Sequence, residues 1–333
     1  VACNEAHAPA SGLVSYWTAY LKGQYPAEYV AALLTSVGGE KDKMALYRNE
    51  GRRMGIKVLP PDVSESINCF AAVGEDIRFG LGAVRNVGTN VVDGIVAGRE
   101  EGPYTSFHDF LGRVPLHVAN KRTVESLIKA GAFDSLGHAR RALLLVHEQA
   151  VESVIGVKRK EATGQFDLFA DLGGDDGPGF SVDVPDLPDW DKKQRLQFER
   201  EMLGLYVSDH PLSGLEHVLS AAADVSIATL NADEARPDGS TVVVAGLVTS
   251  LQRKMSKQGN PWAAVTLEDM EGSVEIMFFG ETYLAYSTVL AEDAVIVVRG
   301  RVRRRDDAMQ LQAMEVSLPD LSAVADAPVV VTL

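Results

Sequence analysis

From Thr241 onward the apolar pattern changes period, and no other feature of the chain limits its fold as tightly. Thr241 to Val248, Trp262 to Leu267, Ser273 to Phe279, Ala294 to Arg299 and Gln310 to Met314 are short runs of strand length rich in Val, Ile and Phe. The polar stretch Ser256-Lys257-Gln258-Gly259-Asn260 reads as a turn between the first two, and Glu281 to Leu290 reads as a helix between the third and fourth. Five short strands, one helical insert and glycine at the bends predict a small closed barrel of the OB type over residues 236–318.

Upstream the spacing is helical. Val14, Trp17 and Tyr20-Leu21, then Tyr29, Val30, Leu33 and Leu34, recur at helical intervals, with Pro26 suited to a first turn. Asp42 to Met54 reads as a further helix, and Ile56 to Pro61 as extended chain, because residues before proline avoid the helix. Residues 77–150 read as helices broken by glycine turns, and 191–206 as a charged helix. Between them lies a Gly/Pro-rich linker with seven acidic and no basic residues from Asp171 to Asp191. The expected class is multidomain, α then β. A helical part spans 1–65, tandem helical hairpins 66–164, a peptide and linker 165–190, connecting helices 191–235, the barrel 236–318 and a tail 319–333.

Three constellations carry chemistry. The first is Phe79-Gly80-Leu81-Gly82-Ala83-Val84-Arg85-Asn86-Val87-Gly88 opening a helix, followed by a related unit from Asn120 to Val146. Closely spaced glycines before a helix describe a helix-hairpin-helix, whose backbone N–H groups can hold a phosphate without reading sequence. Gly80, Gly82, Arg85, Asn86, Gly88, Lys121, Arg122, Gly137, Arg140 and Arg141 are the expected duplex contacts. The same glycines could serve only to end helices. The second is Gln165-Phe166-Asp167-Leu168-Phe169, two large apolar anchors and a hydrogen-bonding Gln beside a linker, suited to a partner's groove or to packing on its own domain. The third is Arg253, Lys254, Lys257, Trp262, Phe278, Arg301 and Arg303 on the barrel, where aromatics stack bases and cations follow the backbone of a single strand. Phe278 and Phe279 are adjacent, so one points inward and one outward.

Other classes are excluded by what the chain lacks. Cys3 and Cys69 form no CxxC pair, the histidines have no ligand spacing, and no apolar run reaches the roughly 18 residues of a membrane helix. Val1 is preceded by no start methionine, which points to a piece of something longer, in the cytoplasm and without membrane partners. The net charge of −14 speaks against nucleic acid until its distribution is counted. Lys121 to Glu161 holds eight basic against five acidic residues, while much of the acidic excess sits in or beside the linker.

Read together, these segments resemble the α subunit of bacterial DNA polymerase III. Leu13 to Lys22, Tyr25 to Tyr29, Ile56 to Val63, Ile77 to Gly88, Glu125 to Asp134, and Glu199 to Ser208 with His210-Pro211-Leu212 carry the likeness in order, most closely to the actinobacterial replicative form. The resemblance implies the end of the fingers region, a duplex-binding hairpin domain, an internal sliding-clamp motif at Gln165, Leu168 and Phe169, and an OB domain near single-stranded template. It implies as partners primer-template DNA, the clamp, and other replisome subunits through a tail beyond this chain. The family's palm carboxylates, which hold catalytic Mg²⁺ in the full polymerase, belong to an upstream region. No cofactor or catalytic residue is therefore expected here, and the piece alone should be inactive. Glu5 stands where the family usually carries Lys, a reversal that repels a triphosphate, and Asp209 replaces a usual Gly. An error-prone paralogue, or a repair adaptor built of the same modules, are the alternatives.

Overall fold

The computed structural model describes residues 4–38, 41–162, 183–233, 235–305 and 308–319. They divide into two compact units, residues 1–209 and 210–333, a division that falls inside the predicted connecting helices.

The first unit opens with helices α1 (Asn4–Gln24), α2 (Pro26–Ser36) and α3 (Lys41–Arg53). Pro26 sits in the first turn of α2, where its missing N–H costs nothing. Tyr16, Trp17 and Tyr20 of α1 stay exposed, so the apolar spacing there builds no core. The extended stretch after α3 forms β1 (Val58–Leu59), which pairs parallel with β3 (Asp76–Arg78); β2 (Ala71–Val73) pairs antiparallel on the other side of β3. This small sheet replaces the start of the helical stretch expected from residue 77. Then follow α4 (Thr89–Gly98), α5 (Phe107–Arg113), α6 (Lys121–Lys129), α7 (Arg140–Ala162) and α8 (Lys192–Leu203). Ser106 and Asn120 cap α5 and α6 by accepting the N–H groups of Asp109 and Thr123, which satisfies donors that the helix itself cannot. One core runs from Ala27 to Leu205 and crosses the predicted boundary at 65/66. Phe107 and Phe110 both meet Phe133 edge-on at its centre, at 5.3 and 4.8 Å. Tyr104 donates to the Ile95 carbonyl at 2.6 Å, and burial pushes its phenol up to about 12.

The second unit carries α9 (Glu216–Ala222) and α10 (Ile227–Ala232), then β4 (Thr241–Met255), β5 (Pro261–Glu268), β6 (Ser273–Phe278), α11 (Gly280–Tyr286), β7 (Val295–Arg305) and β8 (Ala308–Ser317). The five strands close into a barrel in the order β4-β5-β6-β8-β7, with β7 returning to β4. The pairing of β6 with β8 is parallel and the rest are antiparallel. Alternate side chains such as Val244, Val265, Ile276, Val298 and Leu311 fill the interior. Closure leaves no open sheet edge to be guarded.

Candidate nucleic-acid interface

In the first unit β3 runs into Phe79, which is fully buried, and the chain then presses against residues 67–69. A Cβ on Gly80 would lie 2.5 Å from the Cys69 carbonyl carbon, and one on Gly82 would lie 2.2 Å from Asn68 Oδ1. Leu81 N–H donates to Ile67 O and Gly82 N–H to Asn68 O. These glycines are therefore needed for close backbone packing. That corrects their reading as a phosphate cradle, since the N–H groups at 81 and 82 are already used. A strand and a single 3₁₀ turn (Leu81–Ala83) stand where a first helix was expected.

The turn that follows is more open. Asn86 adopts a left-handed φ of 65°, donates from Nδ2 to Ser126 Oγ at 3.0 Å and accepts from Thr123 Oγ1. The turn is thereby seated on α6, beside Arg122. Arg85 donates its backbone N–H to Met202 O while its side chain stays exposed. Gly88 is the N-cap of α4 and has open space around it. Val91 and Val92 both donate to its carbonyl, and no side chain caps the N–H groups of Thr89 and Asn90. Those two donors and the positive end of the helix dipole face outward unanswered by any described side chain.

The second hairpin is committed to the fold itself. Arg140 is 3% exposed, with Nε and Nη2 on Asp134 at 2.8 and 2.6 Å and Nη1 on Glu199 Oε1 at 2.9 Å. Burial alone would lower its pKa; the hydrogen bonds and charges of Asp134 and Glu199 outweigh that and leave it above the ordinary arginine value. This corrects its assignment as a duplex contact, because a buried, doubly paired guanidinium cannot reach a phosphate. Lys121 bridges to Glu152 at 2.6 Å and Glu148 at 3.3 Å, with its pKa raised chiefly by the Glu152 hydrogen bond. The backbone N–H of Arg141 is taken by Asp189 at 3.1 Å, although its side chain remains exposed, as does that of Arg122. Gly137, with φ of 80°, ends a 3₁₀ turn in a left-handed conformation that a side chain would strain.

In the second unit the register sorts the predicted contacts. Lys254 pairs with Trp262, and Ala263 pairs with Phe278. Ala263 and Phe278 point inward, and Phe278 is fully buried in the barrel core. That corrects its assignment as a base-stacking residue. The exposed ring is Phe279, 45% accessible, whose centroid lies 5.5 Å from that of Trp262. Lys254 Nζ sits 5.2 Å from the Trp262 ring. Lysine, indole and phenyl thus form one outward row from β4 over β5 to the residue that follows β6. Arg253 is tied to the chain that follows α11, donating to the Ser287 and Leu290 carbonyls at 3.4 and 3.1 Å. Arg303 meets Asp238 at 3.4 Å and Arg299 meets Glu315 at 3.5 Å, both exposed pairs of small energetic weight. Arg301 is exposed between Thr241 and Gln312, and Lys257 is exposed in the β4–β5 turn. Gln165, Phe166, Asp167, Leu168 and Phe169 lie outside the described residues. Among the described residues there is no cluster of metal-ligating side chains and no helix long and apolar enough to cross a membrane.

Residues 55–143 match the helix-hairpin-helix motif family, and residues 242–319 match the OB-fold nucleic acid binding domain family. Along its whole length the chain is 52% identical to the DNA polymerase III subunit alpha of Mycobacterium tuberculosis strain H37Rv, of which it spans 28%. The corresponding protein of Saccharopolyspora erythraea is 52% identical over 98% of this chain, and that of Thermus aquaticus 37% identical over 98%. The chain therefore spans little more than a quarter of the length of the curated relatives it matches. A mitochondrial single-stranded DNA binding protein of S. cerevisiae, Rim1, aligns with 25% of the chain at 14% identity and a TM-score of 0.21, so the barrel assignment rests on the strand pairing above.

Proposed function

We propose that this chain, homologous throughout to part of the DNA polymerase III α subunit, holds primer-template DNA and tethers a replicative polymerase to a sliding clamp. The observation that carries the reading is the outward row Lys254–Trp262–Phe279 on a closed barrel. Bases of any sequence stack on such rings, and a lysine over the indole keeps positive charge beside the strand. The open end of α4 at Gly88, with Arg85 and Arg122 nearby, supplies duplex phosphate contacts that carry no sequence information. Lys257 and Arg301 extend the single-strand path along the barrel. Gln165, Leu168 and Phe169 provide the clamp peptide, the two apolar side chains filling a groove and the amide reaching its rim. Tethering raises the local concentration of polymerase at the primer end without new chemistry.

Fluorescence anisotropy with a labelled primed junction tests the DNA reading. Affinity should fall at least tenfold between about 50 and 200 mM salt, since each neutralised phosphate contributes roughly 0.9 to the slope of log affinity against log salt. A flat response rejects it. Clamp binding, measured by surface plasmon resonance, should be lost in the double variant Leu168→Ala, Phe169→Ala; unchanged binding rejects the tether.

A further inference from the structure

Arg253 and Lys254 are neighbours on β4, yet they stand on opposite faces of the barrel wall. Lys254 pairs with Trp262 on the outward side, whereas Arg253 pairs with Ala263, which pairs in turn with Phe278, and both of those are fully buried. Residues directly opposite one another in a sheet share a face, so Arg253 starts from the inward side, close to the strand's end at Met255. From there its Nη2 donates to the Ser287 and Leu290 carbonyls at 3.4 and 3.1 Å. Ser287 is the C-cap of α11, where a helix leaves its last carbonyls without internal partners and its dipole favours a cation. Leu290 is buried in the barrel core, as is Tyr283 of α11 itself.

Phe279 stands at the other end of that helix. It is the N-cap of α11, and its carbonyl accepts the Tyr283 N–H at 3.3 Å. The ladder between β5 and β6 stops one residue earlier, at the Ala263–Phe278 pair. Strand pairing therefore does not fix the Phe279 backbone, and α11 sets it instead. The contacts close a circuit: Arg253 to its neighbour Lys254, Lys254 to the Trp262 ring at 5.2 Å, Trp262 to Phe279 at 5.5 Å, and α11 back to Arg253. We infer that Arg253 is a positioning residue for the stacking row: it moors the end of α11, and α11 holds the Phe279 ring against Trp262. A ring held in place before binding costs less to order when a base arrives, so loosening it lowers affinity without removing a charge from the strand's path.

The inference rests on the single-strand reading of the row proposed above, and the test separates their failures. Anisotropy titrations of the full chain with a labelled single strand are run over a salt series, with blunt duplex as the control. Arg253→Met removes the donors and keeps an apolar stem. It should weaken single-strand affinity about fivefold, with duplex affinity changed less than twofold and the salt slope unaltered. A phosphate contact would instead take roughly 0.7 from that slope. Arg253→Lys keeps the charge on a shorter side chain without the planar fork, and should also lose at least twofold. In a Phe279→Ala background Arg253→Met should cost less than twofold more, because it acts through that ring. A folded Arg253→Met with unchanged affinity, with a lowered slope, or with its full effect beside Phe279→Ala overturns the inference. If circular dichroism shows Arg253→Met unfolded, Arg253→Lys decides, and affinity equal to that of the unaltered chain overturns the inference. If Phe279→Ala leaves single-strand affinity unchanged, the reading of the row fails first and the inference falls with it.

Discussion

Phe278 and Phe279 show how much one position matters on a strand. Successive side chains point to opposite faces, so one ring joins the barrel core and its neighbour joins Trp262 outside. Phe278→Ala should cost about 3–5 kcal/mol of stability by opening a cavity, visible as a lower denaturant midpoint. Phe279→Ala should leave that midpoint nearly unchanged and weaken single-strand binding by about 1–3 kcal/mol, the worth of one stacked base. A reversed pattern in paired denaturation and binding titrations would refute the assignment. The alternation was legible in the sequence; its phase was not, because phase is set by pairing with Ala263, a residue on another strand. Arg140 was unreadable for a related reason. Its partner Glu199 stands 59 residues away, and nothing local tells a buried guanidinium from an exposed one. Arg85, Arg122 and Arg141, whose side chains have no such partner among the described residues, lie exposed as their residue type suggests.

At the level of elements, the barrel was the most readable part because each strand is long enough to show its period. Its first strand nonetheless runs to Met255, well beyond the expected end at Val248. A bulge between Val248 and Ser250 shifts the register, which breaks the alternation where the reading stopped. The sheet of β1, β2 and β3 was missed apart from an extended stretch, since strands of two or three residues show no period at all. The two hairpins looked alike in sequence because both pair glycines with a helix start. They differ in what occupies that start: Asp189 takes the Arg141 N–H of α7, whereas α4 begins at an uncapped Gly88. Gly88 has φ of −86° and nothing within 4 Å of an added Cβ, so the site accepts a side chain. Gly88→Asp should then stabilise α4 by a few tenths of a kcal/mol as an N-cap. The same carboxylate fills the position proposed for a phosphate and repels the next one, so duplex affinity should drop at least fivefold. Higher thermal stability together with weaker duplex binding is the expected signature; unchanged duplex affinity would remove α4 from the interface.

For the whole molecule, the net charge of −14 and the two separate cores bear on the same experiment. Charge summed over the chain says little about where DNA goes, because the acidic excess concentrates between Asp171 and Asp191 while Arg85 and Arg122 flank the open turn of one unit and Lys254 lies on the other. The two cores share no residue, Ala27 to Leu205 in one and Ile227 to Val316 in the other, so each unit has the means to unfold cooperatively by itself. Calorimetry should therefore resolve two transitions. A ligand that binds only the folded form of one unit stabilises that unit, by about 2.7 kcal/mol at a hundredfold excess over its Kd, and so raises its midpoint. Blunt duplex should move the transition of the first unit, an oligonucleotide single strand that of the second, and a primed junction both. The transitions can be assigned with Phe278→Ala, which lowers only the barrel's. If single strand shifts the hairpin unit, or duplex the barrel, the division of labour between the two is wrong, because a ligand cannot stabilise a cooperative unit for which it has no preference between folded and unfolded states.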